Sequence, residues 1–356
     1  MRIHKTRIVG ASLSLLLGAL IAACGSSAGT STGTSASAAP ATHSVTYLTD
    51  FIANGVYAPL FYGIEKGYYA QQGINLQVKF GTGSSVTVQD VASGQADIGD
   101  AFSGLIAKGV AGGASIKSVG FFRANGAFAF FCDKKLGITT FSGLKGKSVV
   151  IPPGTVQAAL YPGVLTAVGL KPSEIKVDSI ASAAAGADYA AGQGDCIIET
   201  LGDEPTFGKL RPSSTLLWSS GGFQVPGFAF FTTNAFLRSN PRLVEGFLKA
   251  TYESITGALA DPSGAVDAFL KANPQAKPAL TLAQWNASRL VFCTQQMASA
   301  SSKIGFQQPQ AWNTVVSEMK TYEGLPASVD ASSLYTNQFF ANDKVSSTPC
   351  TAIMAS

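Results

Sequence analysis

The sequence predicts an α/β fold of two lobes, each a mainly parallel sheet flanked by helices, and three observations carry the prediction. Strand-like and helix-like runs alternate along the body of the chain, at a spacing that implies crossover helices between parallel strands. The length of 356 residues suits two α/β units. Phe128-Ala129-Phe130-Phe131 also recurs as Phe228-Ala229-Phe230-Phe231. That repeat is either a shared buried-strand composition or a topological marker, two similar strands bracketing an inserted lobe, one carrying the chain out and the other returning it.

The elements follow in order. Residues 45–48 read as a short strand, and residues 57–69 as a helix, because Leu60, Phe61, Ile64 and Tyr68 share one face. Gly73 ends it. Ile74, Leu76, Val78 and Phe80 alternate as a second strand, and Gly81-Thr82-Gly83-Ser84-Ser85 turns the chain into a helical run reaching Ala92. A third strand begins at Ala96-Asp97-Ile98-Gly99 and a fourth covers residues 116–122. The second half continues with a strand at 148–151, the loop Pro152-Pro153-Gly154-Thr155, a helix over 157–168 and a strand at Ile197-Ile198. Asp97 and Asp195 sit in repeated Gly-x-x-Asp turns and read as structural.

Composition narrows the function. The 25 Lys and Arg against 21 Asp and Glu give a net charge of +4, too little for a nucleic-acid binder that must displace counterions from phosphates. The 22 Phe, 10 Tyr and 3 Trp are enough for a large core. Two histidines, His4 and His43, both precede the first expected strand. The folded body is therefore expected to run no Ser-His-Asp, Cys-His or His-ligated zinc chemistry.

Arg2, Lys5 and Arg7 precede an apolar stretch, residues 8–22, that is short for a membrane span, and together they read as an export signal. Removing those three charges leaves 22 basic against 21 acidic residues. The stretch closes on Ile21-Ala22-Ala23-Cys24, which resembles a bacterial lipobox, with Cys24 lipidated and residues 1–23 removed; the alternatives are an ordinary signal with an incidental cysteine or an uncleaved anchor. Residues 25–43 hold no Asp, Glu, Lys or Arg and no large apolar side chain. As a flexible coil this tether spans roughly 25 Å.

Several segments carry a resemblance. Thr49-Asp50-Phe51, Tyr57-Ala58-Pro59-Leu60, Glu65-Lys66-Gly67-Tyr68-Tyr69 and Gln72-Gly73-Ile74 resemble the opening of nitrate/sulfonate/thiamine-precursor-type solute-binding proteins of ABC importers. Val91-Ala92-Ser93-Gly94-Gln95-Ala96-Asp97-Ile98-Gly99, Gly143-Leu144-Lys145-Gly146-Lys147, Pro153-Gly154-Thr155, Ala191-Gly192-Gln193-Gly194-Asp195 and Phe236-Leu237-Arg238-Ser239-Asn240-Pro241 continue it in the family's order over about residues 45–275. The last eighty residues match poorly and read only as further helices. The resemblance implies a periplasmic binding protein type II fold, with two crossing strands as hinge and a small solute clamped between the lobes. Lobe one would be residues 45–127 plus 228–356 and lobe two residues 128–227. It further implies a monomeric, non-enzymatic binder with no cofactor or metal, lipid-anchored on the outer face of a bacterial cytoplasmic membrane and delivering solute to an ABC permease.

Those lobes order the cysteines. Besides Cys24 there are Cys132, Cys196, Cys293 and Cys350, an even set with three possible pairings in an exported protein. Cys132 and Cys196 fall in lobe two, Cys293 and Cys350 in the C-terminal part, which implies the pairs 132–196 and 293–350.

Ligands of open parallel sheets bind where the strands end. After the first strand come Asp50, Phe51, Asn54 and Tyr57: Asp50 accepts from a solute N–H or caps a helix, and Phe51 and Tyr57 stack on a flat ring or belong to the core. Gly83, Ser84 and Ser85 offer N–H groups at a helix start. Asp100 and Ser103 follow the third strand, and Arg123 the fourth, as an anion clamp or an interlobe salt bridge. From lobe two, Gly154 and Thr155 resemble a second cradle, Glu199, Thr200 and Asp203 follow the Ile197-Ile198 strand, and Phe223 approaches the cleft before the return crossing.

Four carboxylates (Asp50, Asp100, Glu199, Asp203) thus face one Arg. Burying a small anion there is costly. The balance favours a planar nitrogen heterocycle, a thiamine pyrimidine precursor or a relative, over an aliphatic sulfonate or nitrate. Fungal pyrimidine-precursor synthases share the family's fold but consume an active-site histidine and need iron, and this body is expected to supply no histidine. A carboxylate pair for glycoside hydrolysis is a remote alternative, and a surface interaction module would have only the tether to show for it.

Overall fold

The computed structural model describes residues 42–223 and 226–354. The expected signal, Cys24 and nearly all of the tether lie outside them. Among the described residues, the strands are β1 (His43–Leu48), β2 (Ile74–Lys79), β3 (Ile98–Phe102), β4 (Ile116–Asn125), β5 (Phe128–Asp133), β6 (Ser148–Val150), β7 (Lys176–Asp178), β8 (Cys196–Thr200), β9 (Ser213–Leu217) and β10 (Pro226–Thr233). They form two five-stranded sheets, ordered β2-β1-β3-β10-β4 and β7-β6-β8-β5-β9.

The two orders are the same plan used twice. In the first sheet β2, β1 and β3 pair in parallel, while β10 runs antiparallel between β3 and β4. In the second, β7, β6 and β8 are parallel and β5 runs antiparallel between β8 and β9. Each sheet therefore has one opposing strand, and those two strands carry the Phe-Ala-Phe-Phe copies. Flanked on both edges and covered on both faces, each copy is buried throughout, which is why neither alternates with polar residues.

The Gly-x-x-Asp turns repeat the symmetry. Asp97 accepts from Thr46 N of β1 (2.8 Å), and Asp195 accepts from Ser148 N of β6 (2.9 Å). Each carboxylate pins the central strand of its sheet's three parallel strands, within β1 in one and at the start of β6 in the other.

Three expectations change. The single helix expected over 57–69 is a 3₁₀ turn (Gly55–Tyr57), a helix (Ala58–Glu65) and a short helix (Tyr68–Gln71), broken where Gly67 takes φ 77°. The strands β7 and β9 have no strong apolar alternation because both are edges and half exposed. His43 lies inside β1, exposed at its amino end, where its N–H bonds Gly73 O at 2.8 Å.

The C-terminal segment does more than add helices. Residues 334–336 run along the outer edge of β4, with Ser118 N donating to Leu334 O and Thr336 N to Ser118 O, each at 2.9 Å. An edge that would otherwise expose unpaired N–H and C=O groups is covered. Trp312, on the helix Pro309–Tyr322, stacks between Phe121 and Tyr335 with centroids 6.0 and 5.6 Å away.

The cysteines pair as 132–196 and 293–350. Cys132 and Cys196 face each other across β5 and β8, whereas Cys293–Cys350 ties the segment after the helix Pro278–Ser288 to the helix Cys350–Met354. Each bridge closes a loop of about sixty residues, with separations of 64 and 57, worth about 4 kcal/mol in the chain-entropy description. Replacing Cys132 and Cys196 together by Ala is expected to lower the unfolding free energy by about 2–4 kcal/mol in urea titrations. A non-reducing peptide map should show no 132–293 linkage.

Candidate functional site

The carboxyl ends of β1, β3, β4 and β8 converge with the starts of β5 and β10. Asp100, Arg123, Glu199 and Thr200, expected just after their strands, instead lie inside them, Asp100 in the middle of β3 and the others within the last three residues of β4 and β8. The ladders run further than the apolar pattern because the cleft groups are themselves buried and paired.

At the centre is an ion cluster within the first-sheet lobe. Arg123 Nη2 donates to Asp50 Oδ1 at 2.7 Å and Asp100 Oδ2 at 3.4 Å. Tyr57 OH donates to Asp50 Oδ1 and Tyr47 OH to Asp100 Oδ1, each at 2.5 Å, and Ser84 Oγ lies 3.4 Å from Asp50 Oδ2. The guanidinium lies flat over Phe228, 3.6 Å from its centroid. Asp100 is 0% exposed: burial, then the neighbouring Asp50 charge, raise its carboxyl well above the usual range against the pull of Arg123 and Tyr47. Arg123 is therefore spoken for on its Nη2 side; among the described residues its Nε has no hydrogen-bond partner.

The facing lobe brings Glu199, Thr200 and Asp203. Gln157 Nε2 donates to Glu199 Oε2 at 2.9 Å, and Thr200 Oγ1 to Asp203 Oδ2 at 2.6 Å. Burial, then the charge of Asp203, push the Glu199 carboxyl well up, and burial raises that of Asp203.

The lobes meet. Asn54 Oδ1 accepts from Val56 N at 2.9 Å while its Nδ2 donates across the cleft to Asp203 Oδ1 at 3.0 Å. At the other lip, Gly83 has φ 152° and a Cβ there would lie 3.0 Å from Gly154 O. The cavity between them has room for little more than a water, so this is a closed cleft.

Asp50, Phe51, Asn54, Gly83, Ser84, Arg123, Thr155, Glu199, Thr200 and Asp203 line that cavity, joined by Phe128, Val156, Gln157 and Phe228, which sequence reasoning missed. Phe128 and Phe228 are the first residues of the two repeat copies, 6.0 Å apart on the floor; the repeat itself was the available signal. Gln157 sits in the first turn after the Thr155 cap. Asp100 lies behind Arg123, Ser103 Oγ donates to Gly227 O at 3.0 Å, and Ser85 and Gly154 are outside the lining. Tyr57 and Phe223 belong to the core: Tyr57 stacks on Phe122 and Phe223 packs on Trp218. Arg123 bridges within its lobe and not between lobes. Among the described residues no three His, Cys, Asp or Glu are grouped to hold a metal.

A carboxyl whose pKa is raised by folding binds a proton that the unfolded chain has released. Stability from Glu199 and Asp203 is therefore greatest near and below their unfolded values, about pH 4, and falls as pH rises through the folded ones. Glu199→Gln keeps an acceptor for Gln157 and removes the titration. Its melting temperature should gain on the wild type by more at pH 8 than at pH 4, and an equal gain at both pH values would refute the assignment.

A family model described as "NMT1/THI5 like" matches residues 54–265. The riboflavin-binding protein RibY of Chloroflexus aurantiacus is 26% identical over 319 residues, 84% of this chain and 87% of that one. The 4-amino-5-hydroxymethyl-2-methylpyrimidine phosphate synthase THI5 of Saccharomyces cerevisiae is 26% identical over 85% of this chain and 89% of its own. In fold, the chain is similar to the alkanesulfonate-binding protein SsuA of Xanthomonas axonopodis pv. citri, with TM-score 0.63 and 17% identity over 84% of this chain and 99% of that one.

Proposed function

The chain belongs to the NMT1/THI5-like family, and from that membership and the geometry of the cleft we propose that it is the extracytoplasmic solute-binding component of an ABC importer, closing two lobes over a planar nitrogen heterocycle. The solute is a pyrimidine of the thiamine-precursor type or a flavin. Lobe one comprises residues 45–127 and 228–356 and lobe two residues 128–227, with Cys24 as lipid anchor and an ABC permease as the partner of the monomer.

The observation that carries this reading is that the cleft's one guanidinium is paired by Asp50 and Asp100, while Glu199 and Asp203 face it from the other lobe. A sulfonate or nitrate entering here finds its cation already paired by carboxylates of the same lobe, an arrangement that is expensive to break in a desolvated site. A ring with N–H donors meets acceptors in Asp203 and Glu199. Its carbonyl finds Arg123 Nε, and its faces meet Phe51 and Phe128. RibY, named for riboflavin, supports the same solute class.

The synthases among the relatives raise the enzymatic alternative. Here the one described histidine, His43, is exposed at the amino end of β1, the opposite end from the cleft, which supports binding without chemistry.

A thermal-shift panel of residues 25–356 with riboflavin, aminopyrimidines, taurine, longer alkanesulfonates and nitrate tests the proposal. A solute at 100 times its Kd stabilises by about 2.7 kcal/mol. A shift with riboflavin or an aminopyrimidine, abolished by Asp203→Asn or Phe228→Ala, is expected. A shift with taurine or nitrate alone, lost in Arg123→Gln, would replace the heterocycle by an anion.

A further inference from the structure

The family match ends at residue 265, yet two cross-lobe contacts are made by side chains beyond it. On one side the helix Pro278–Ser288 presents Gln284, 7% exposed, whose Oε1 accepts from Gly55 N at 3.0 Å and whose Nε2 donates to Thr206 Oγ1, in the loop beyond β8, at 3.2 Å. The fit around it leaves no slack. A Cβ on Gly55 would lie 2.3 Å from Thr281 O, and one on Gly202 only 2.4 Å from Ser288 Oγ.

On the other side the helix Pro309–Tyr322 is fixed to the first-sheet lobe by the stacked Trp312 and by the Lys108–Glu323 ion pair just past its end. Its last residue, Tyr322, reaches the facing lobe, where its ring lies 5.4 Å from that of Phe223 and a Cβ on Gly163 would come within 2.7 Å of its own Cβ. Neither Gln284 nor Tyr322 lines the solute cavity.

We propose that the C-terminal segment is an interlobe brace, in which Gln284 and Tyr322 hold the lobes together from opposite sides and so set the affinity of the site without touching the solute. The proposal rests on the reading above that the lobes open and close on a solute. Contacts made only when the lobes meet favour the closed population, and the apparent Kd varies inversely with the fraction already closed. Gln284 contributes a buried hydrogen bond and Tyr322 an aromatic contact, so losing either should lower the ratio of closed to open molecules by about fivefold while leaving every cavity side chain in place. Gln284 and Tyr322 are positioning residues.

Small-angle X-ray scattering of the solute-free protein, residues 25–356, is the test. It needs no solute, so a failure of the brace is distinguishable from a failure of the heterocycle reading. The wild type is expected to scatter as the compact form, and Gln284→Ala and Tyr322→Ala each to enlarge the radius of gyration. Thr206→Val, which removes the acceptor from the facing lobe without altering the helix, should expand it too, whereas Tyr322→Phe should not. Riboflavin titrated into the same proteins should bind the expanding variants more weakly, by the ratio of the wild type's closed fraction to theirs, and Tyr322→Phe as the wild type. Equal radii for the wild type and all variants with unchanged melting temperatures, or a wild type already as expanded as the variants, would overturn the proposal.

Discussion

The structure turns on one buried ion cluster. Asp50, Asp100 and Arg123 come from the loop after β1, the middle of β3 and the last three residues of β4, and their mutual bonds hold those three segments at one place. Taking such charges out of water is costly unless each has partners. The partners are supplied by Tyr47, Tyr57 and Ser84, which face inward because their strand, turn and helix pack on the same core. The cluster therefore couples folding to function: it fixes the cleft wall and at the same time uses up the cation that would otherwise draw an anion.

The fold around it is one plan executed twice. Each sheet has its opposing strand in the fourth place, and each has an aspartate ahead of its third strand that pins the second, Asp97 in one and Asp195 in the other. Because the opposing strand of each sheet begins beside the crossing from the other, the first phenylalanine of its repeat lands in the cleft. Phe128 and Phe228 are thus fold and site at once, and the floor they form follows from the topology.

Much of this was legible in the sequence. The parallel strands and crossover helices declared themselves through periodicity, and the family segments placed the cleft loops, because a strand end followed by Asp, Gly-Ser or Thr marks both a turn and a polar lip. What stayed hidden had physical reasons. The edges β7 and β9 lack apolar alternation because one side is solvated. Tyr57 reads equally as a stacking ring or a core ring, and only the tertiary path shows its hydroxyl turned to Asp50 from inside. Asp100 and Asp203 are alike as letters, yet one is sealed behind Arg123 and the other bridges the lobes through Asn54. The C-terminal segment resisted reading because its work is long-range: Leu334 and Thr336 cover an edge more than two hundred residues away in sequence.

Arg123 is paired within its own lobe, and on that pairing rests the proposal of a neutral, N–H-bearing ring as solute. It is tested by mass spectrometry of the small molecule released when protein purified from its native host is heat-denatured. The account predicts an intact planar nitrogen heterocycle that absorbs in the near ultraviolet. Recovery of a sulfonate or nitrate in stoichiometric amount would contradict it.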